Sequence, residues 1–319
     1  MSTIWQQKLK QNFTRLEPLI QFLQLADHQP LLQKPRFPLN VPMRLAEKMA
    51  KNDLDDPILR QFLPHLKEKE ELPHFVADPV GDSASRKQAK LLHKYHGRAL
   101  LICTSACAMN CRFCFRQNFD YDTSDKLFEE ELDAIAQDSS LTEILLSGGD
   151  PLSLTNERLA DLINRLSVIP HVQRLRFHTR FPIGIPERID DGLLNILAVT
   201  RLQVYFVIHC NHANELDADI FEALKKVQRL GIPVLSQTVL LKGVNDQVSI
   251  LKDLFETLSN NGIIPYYLHQ LDRVRGAAHF EVDEAIGRQL IAGLSKLLPG
   301  YAIPKYVREI PGEPSKTIL

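Results

Sequence analysis

From Arg98 onward the chain repeats one pattern: a short apolar run, a polar loop, then a longer stretch with apolar residues three and four positions apart. Ala99–Cys103, Thr142–Leu146, Arg174–His178, Val204–Ile208, Val234–Leu240 and Ile264–Leu268 read as strands. Stretches with helical spacing separate them, over 129–137, 156–168, 189–197, 219–230, 247–260 and 283–298. In the second of these, Leu159, Leu162, Ile163 and Leu166 form one stripe. Continuous apolar strands are buried on both faces, and successive strand–helix units need right-handed crossovers, so the sheet is parallel. Six units predict an α/β fold, a partial (β/α)6 TIM-type barrel that does not fully close. Its chemistry belongs at the C-terminal ends of the strands.

Residues 1–95 carry a different pattern and read as an N-terminal helical region. Pro30, Pro35, Pro38 and Pro42 fall too close together for helix or central strand. Residues 43–51 read as helix. A second short helix starts at Pro57 with Asp56 as its N-cap, and Ile58, Leu59, Phe62 and Leu63 share one face. The expected organisation is a helical cap over 1–95, the barrel over 96–300 and a C-terminal segment over 301–319.

Composition narrows the function class. The 319 residues are 44% hydrophobic, enough for a substantial core, and the formal net charge is −1. That balance argues against broad electrostatic binding to nucleic acid or an anionic membrane. No apolar run approaches the ~20 residues of a membrane span. The polar start, Met1 to Lys10, lacks the apolar segment of a signal peptide, which predicts the reducing cytoplasm.

The densest chemistry is Cys107-Ala-Met-Asn-Cys111-Arg-Phe-Cys114. Three thiolates within eight residues suit an iron–sulfur cluster or a soft metal. A four-iron cubane has four corners, so this loop leaves one open for chemistry. No histidine stands at zinc-finger spacing after Cys114, and five cysteines without a secretory signal make a poor disulfide framework. Ser147-Gly148-Gly149-Asp150 ends the second strand, where two glycines would let the backbone approach a ligand and expose its N–H groups. Cys103 and Cys210 read as small buried residues.

The C-x3-C-x2-C spacing, with Phe113 before the last cysteine, resembles the signature of the radical S-adenosylmethionine (SAM) enzymes. The resemblance extends over nearly the whole chain to the lysine 2,3-aminomutases. It is carried by His93-Lys-Tyr-His-Gly-Arg98, the cysteine loop through Arg116, Ser147 to Pro151, His209 to Glu215, Pro265 to Asp272, Gly276 to Phe280 and Val307 to Thr317. Gly312-Glu-Pro-Ser-Lys316-Thr is most similar to the subgroup that supplies β-lysine for elongation factor P, and a chain stopping three residues after Lys316 fits that subgroup.

The resemblance implies a [4Fe-4S] cluster on Cys107, Cys111 and Cys114. SAM would bind its open iron, with Ser147, Gly148, Gly149 and Asp150 at the SAM amino group. It implies pyridoxal 5′-phosphate (PLP) on Lys316, with Arg98 and Lys94 on the phosphate side. Arg116 would clamp the substrate carboxylate, and Asp272 would receive its distal ammonium. Glu309 stands where the family has an aspartate, keeping the charge on a longer arm. His209 and His212 could line the pocket. The implied reaction is L-lysine to (R)-β-lysine, for attachment to elongation factor P by a partner ligase, with flavodoxin or ferredoxin as electron donor. The alternatives are a free-standing lysine or glutamate 2,3-aminomutase and a non-catalytic cluster or zinc protein acting as a binding module.

Overall fold

The computed structural model describes residues 2–121 and 127–319. Its frame is one sheet whose strands lie side by side in chain order. They are β1 (Arg86–Gln88), β2 (Leu91–Tyr95), β3 (Arg98–Thr104), β4 (Glu143–Gly148), β5 (Arg174–Thr179), β6 (Gln203–His209), β7 (Val234–Val239), β8 (Ile264–His269), β9 (Lys305–Arg308) and β10 (Thr317–Ile318). β3 through β9 are parallel. β1 and β2 add antiparallel at one edge, and β10 pairs antiparallel with β9 at the other.

Helices Glu129–Gln137, Asn156–Ser167, Asp191–Val199, Ala218–Arg229, Val248–Asn260 and Glu284–Leu294 follow β3 to β8 in turn. All six expected strand–helix units are therefore present, with ends displaced by a few residues. Leu159, Leu162, Ile163 and Leu166 are buried as their spacing predicts. Asp190, Asp217 and Asp283 cap their helices by accepting backbone N–H groups of Leu193, Ile220 and Ala285.

The strands are not apolar on both faces throughout. In β5, Leu175 and Phe177 enter the core, while Arg176 and His178 face a cavity inside the curl of the sheet. Among the described residues no ladder joins β1 to β10, so the barrel is incomplete. Its seam is bridged by side chains: Lys94 of β2 donates to Glu309, just past β9, at 3.0 Å.

The structure differs from the sequence reading at both ends. Residues 86–95 are strands of the main sheet, and 305–308 adds a further parallel strand. These strands are short, carry charged residues and sit near the sheet's edges, so no apolar run marks them. Residues 43–48 form the expected helix, but after Pro57 only the single turn Leu59–Gln61 forms. Asp56 still caps it, accepting from Ile58 and Leu59 at 2.9 and 2.8 Å. Ile58, Leu59, Phe62 and Leu63 are buried beneath that turn.

Candidate active site

A cavity of about 630 Å³ fills the interior of the curled sheet. It is large enough for drug-sized ligands. It runs from the cysteine loop beyond the C-terminal end of β3 down to Arg98 and Glu143, at the starts of β3 and β4. Seven residues of strand separate those levels, a span of ~20 Å. Cys107, Cys111, Cys114, Arg116, Lys94, Arg98, the Ser147–Asp150 turn, His209, Asp272, Glu309 and Lys316 all line this one space.

The N-terminal region shapes the cysteine loop. Asn40 donates to the Cys107 carbonyl at 3.2 Å and accepts the Asn110 N–H on its own carbonyl at 2.9 Å. Asn12 donates to the Ala108 carbonyl at 2.7 Å. Arg112, between the second and third cysteines, is buried against Glu68 and donates to the Phe37 carbonyl at 2.7 Å. Its own N–H bonds the Gln61 carbonyl at 2.8 Å. Burial raises all three loop thiols, Cys114 to about 11, and at Cys111 the Arg180 guanidinium pulls the other way. A bound metal supplies the positive charge that makes such thiols deprotonate. Among the described residues no three Cys, His, Asp or Glu side chains gather tightly enough to hold one metal ion. The corners of a cubane are separate irons, so three cysteines along one wall fit that cluster better than a single zinc. Cys103 and Cys210 are buried away from the cavity wall, as expected.

The glycine pair has a different physical reason from the one its sequence suggests. A Cβ on Gly149 would lie 2.3 Å from the Ala106 carbonyl oxygen, and one on Gly148, at φ +116°, 2.6 Å from that of Thr104. Gly149 N–H donates to Thr104 at 2.6 Å and Asp150 N–H to Ala106 at 2.8 Å. These donors are therefore held by the stem of the cysteine loop rather than exposed to a ligand. The Asp150 carboxylate also turns inward. It accepts from Leu152, Arg180 and Phe181 N–H groups and from the Thr179 hydroxyl, yet burial still pushes it up to about 6.

From Lys316 to the cysteine loop, charges alternate along a continuous chain. Lys316 pairs with Glu309, Glu309 with Lys94, Lys94 with Asp82 at 2.6 Å, and Asp82 with Arg116 at 2.8 Å. Arg116 ends the chain by donating to the Ser147 hydroxyl at 3.0 Å. Burial opposes ionisation of Glu309, but Lys316 and Lys94 outweigh it and hold the carboxyl at about 2. Asp272, enclosed without such a contact, is pushed up to about 7 against the pull of Lys316. Burial and the nearby Arg180 lower His209 to about 3, and among the described residues its Nε2 has no hydrogen-bond partner. Arg98 stacks over Tyr95 with its guanidinium carbon 4.7 Å from the ring centre. His212 caps a turn by accepting from Asn214 N–H and is not on the cavity wall.

Sequence reasoning missed Asp82, Gln61, Arg180, and the chain His178–Gln237–His269, joined at 3.1 and 3.0 Å across β5, β7 and β8. His178, Arg180 and His269 stand at strand ends, the one signal that could have marked them.

The cysteine loop on a parallel, incomplete barrel defines a class, and relatives agree on it. A model of the radical SAM superfamily matches residues 101–254. Among solved structures, Streptococcus suis SuiB bound to S-adenosylmethionine superposes with a TM-score of 0.50 at 14% identity, covering 72% of this chain and 54% of that one. A radical SAM methyltransferase from Sphaerobacter thermophilus gives 0.50 at 19%, covering 68% of each. At those identities the likeness establishes the fold. The L-lysine 2,3-aminomutase of Escherichia coli K12 is 42% identical, covering 99% of this chain and 94% of that protein. The L-lysine 2,3-aminomutase of Haemophilus influenzae is 41% identical over 98% and 95%. This chain belongs to the lysine 2,3-aminomutase family of radical SAM isomerases. Membership implies a four-iron cluster and SAM.

Proposed function

We propose that this protein is a PLP-dependent radical SAM enzyme that converts L-lysine to (R)-β-lysine by moving an amino group between adjacent carbons. The observation that carries this reading is the shared cavity, with the cysteine loop on one wall and Lys316 on another. When bound, the cluster and SAM supply the one-electron chemistry needed at an unactivated C–H, and PLP supplies a π system across which nitrogen can move.

The chain's own residues do the rest. Cys107, Cys111 and Cys114 hold the iron. Lys316 is the amine that takes PLP, with Arg98 toward its phosphate and Lys94 braced between Glu309 and Asp82. Arg116, oriented by Asp82, presents a planar cation to the substrate carboxylate. Asp272 accepts the distal ammonium of lysine, whose charge favours the ionised carboxyl, and Glu309 stands beside it. With Glu309 already paired to Lys316 and Lys94, Asp272 is the acid that favours a cationic side chain over glutamate's carboxylate. The concave interior of the curled sheet brings these groups together around one substrate. The Ser147–Asp150 turn and His209 line the SAM side.

The same reading places β-lysine upstream of a ligase that modifies elongation factor P in the cytoplasm, with flavodoxin or ferredoxin donating the electron. The test is anaerobic incubation of reconstituted enzyme with SAM, dithionite and either lysine or glutamate, followed by chiral analysis. (R)-β-Lysine from lysine alone is the expected product. β-Glutamate formation, or no product from either, would overturn the reading. A ligase-coupled mass increase on elongation factor P tests the later step.

A further inference from the structure

Arg180 is a cation placed on a cluster ligand. It follows β5 directly and is 6% exposed. Its Nη1 donates to the Cys111 Sγ at 2.8 Å. Its Nη2 donates to Glu215 Oε2 at 2.8 Å and to Gln61 Oε1 at 2.7 Å. The guanidinium carbon lies 5.1 Å and 5.6 Å from the ring centres of Phe62 and Phe113.

The partners are themselves fixed. Glu215 is fully buried, and its Oε1 accepts from the Gln61 amide and from the Asn211 and His212 N–H groups, each at 3.0 Å. Gln61 is also fully buried and ties the helical cap to the cysteine loop through the Arg112 N–H. Three distant parts of the chain therefore aim one guanidinium at one sulfur.

A buried ion pair is a poor device for stability alone, because desolvating both charges costs about as much as their attraction returns. Its position suggests electronic work. Hydrogen bonds to ligand sulfurs, and net charge nearby, set the reduction potential of an iron–sulfur cluster. A cation donating to a thiolate ligand favours the reduced cluster, and a carboxylate behind it opposes that effect. We propose that Arg180 is a positioning residue for Cys111 which, balanced by Glu215, sets how readily the cluster accepts an electron. This rests on the cysteine loop carrying a four-iron cluster.

The test uses full-length wild-type, R180K, R180Q and E215Q proteins, reconstituted under argon without SAM or lysine. Iron per chain is measured first, then the cluster is titrated potentiometrically with optical and EPR detection. R180Q is expected to show at least a tenfold lower reduced-to-oxidised ratio at a fixed solution potential, a shift of ~59 mV for one electron. R180K, which keeps the charge but loses the fork, falls between R180Q and wild type. E215Q moves in the opposite direction. Iron-loaded variants with unchanged midpoints would show that Arg180 only holds the loop together, and the inference fails. If R180Q loses its iron, R180K and E215Q decide it by the same criterion. A wild-type protein that takes up no iron sinks the cluster reading itself and takes this inference with it, a result distinct from iron-loaded variants that do not shift.

Discussion

Lys316 and Glu309 form an ion pair inside the cavity because β9 and β10 run antiparallel in a fixed register. Thr317 pairs with Arg308 and Ile318 with Val307, so the residues before and after these strands face each other. Glu309 also holds Lys94 across the barrel seam. It is depressed to about 2, so it adds stability above its ordinary carboxylate range and loses it as pH falls toward 2. Glu309→Gln leaves two cations with less countercharge and should cost about 1–3 kcal/mol at pH 7, discounted for partial exposure. Equilibrium urea unfolding checks this, and a variant as stable as wild type would contradict it.

Lys316→Ala should abolish covalent cofactor attachment. After reconstitution with PLP and borohydride reduction, mass spectrometry of the wild type should show the adduct on the peptide containing Lys316. The variant should show none, with product formation at background. An adduct retained elsewhere at full occupancy would remove Lys316 from its role.

Asp272 predicts a pH dependence. Its carboxyl is raised to about 7, so the folded protein holds that proton to higher pH than the unfolded chain does. Stability from this group therefore declines as pH rises from about 4 through about 7. Asp272→Asn should be more stable than wild type at pH 8 by thermal unfolding. On the proposed role of Asp272 at the lysine ammonium, binding would need the ionised form, so wild-type affinity should rise between pH 6 and 8 and that of the variant should stay flat and weak. Calorimetric titration at both pH values is the check.

Gly149→Ala tests how β4 meets the cysteine loop. The added methyl has backbone oxygen 2.3 Å away and no flexible neighbour to displace. A loss of roughly 1–3 kcal/mol is expected. Iron per chain should fall with it, because the strain falls on the loop stem. Wild-type iron content at wild-type stability would refute this account.

Arg112→Ala removes the cation buried beside Glu68, within the cysteine loop itself. An uncompensated buried carboxylate predicts a loss of about 3–5 kcal/mol. Double substitution with Glu68→Gln should recover part of it, as a double-mutant cycle in urea would show.

The sequence by itself determined the parallel strand–helix units and the cysteine spacing. Each of these is local. Apolar runs mark strands buried among helices, stripes mark helices, and ligands a few residues apart share one loop. What only tertiary structure decided is non-local. β1, β2, β9 and β10 are short and mix apolar with charged residues near the sheet's edges, so no periodicity announces them. Asp82 reaches Arg116 across 34 positions, and Gln61 reaches Arg180 across 119 and Glu215 across 154. No propensity or spacing encodes such contacts. The glycine pair shows the same divide: its presence was legible, but its reason was the backbone at the end of β3 and the stem of the cysteine loop, which lies there only once β4 has paired with β3.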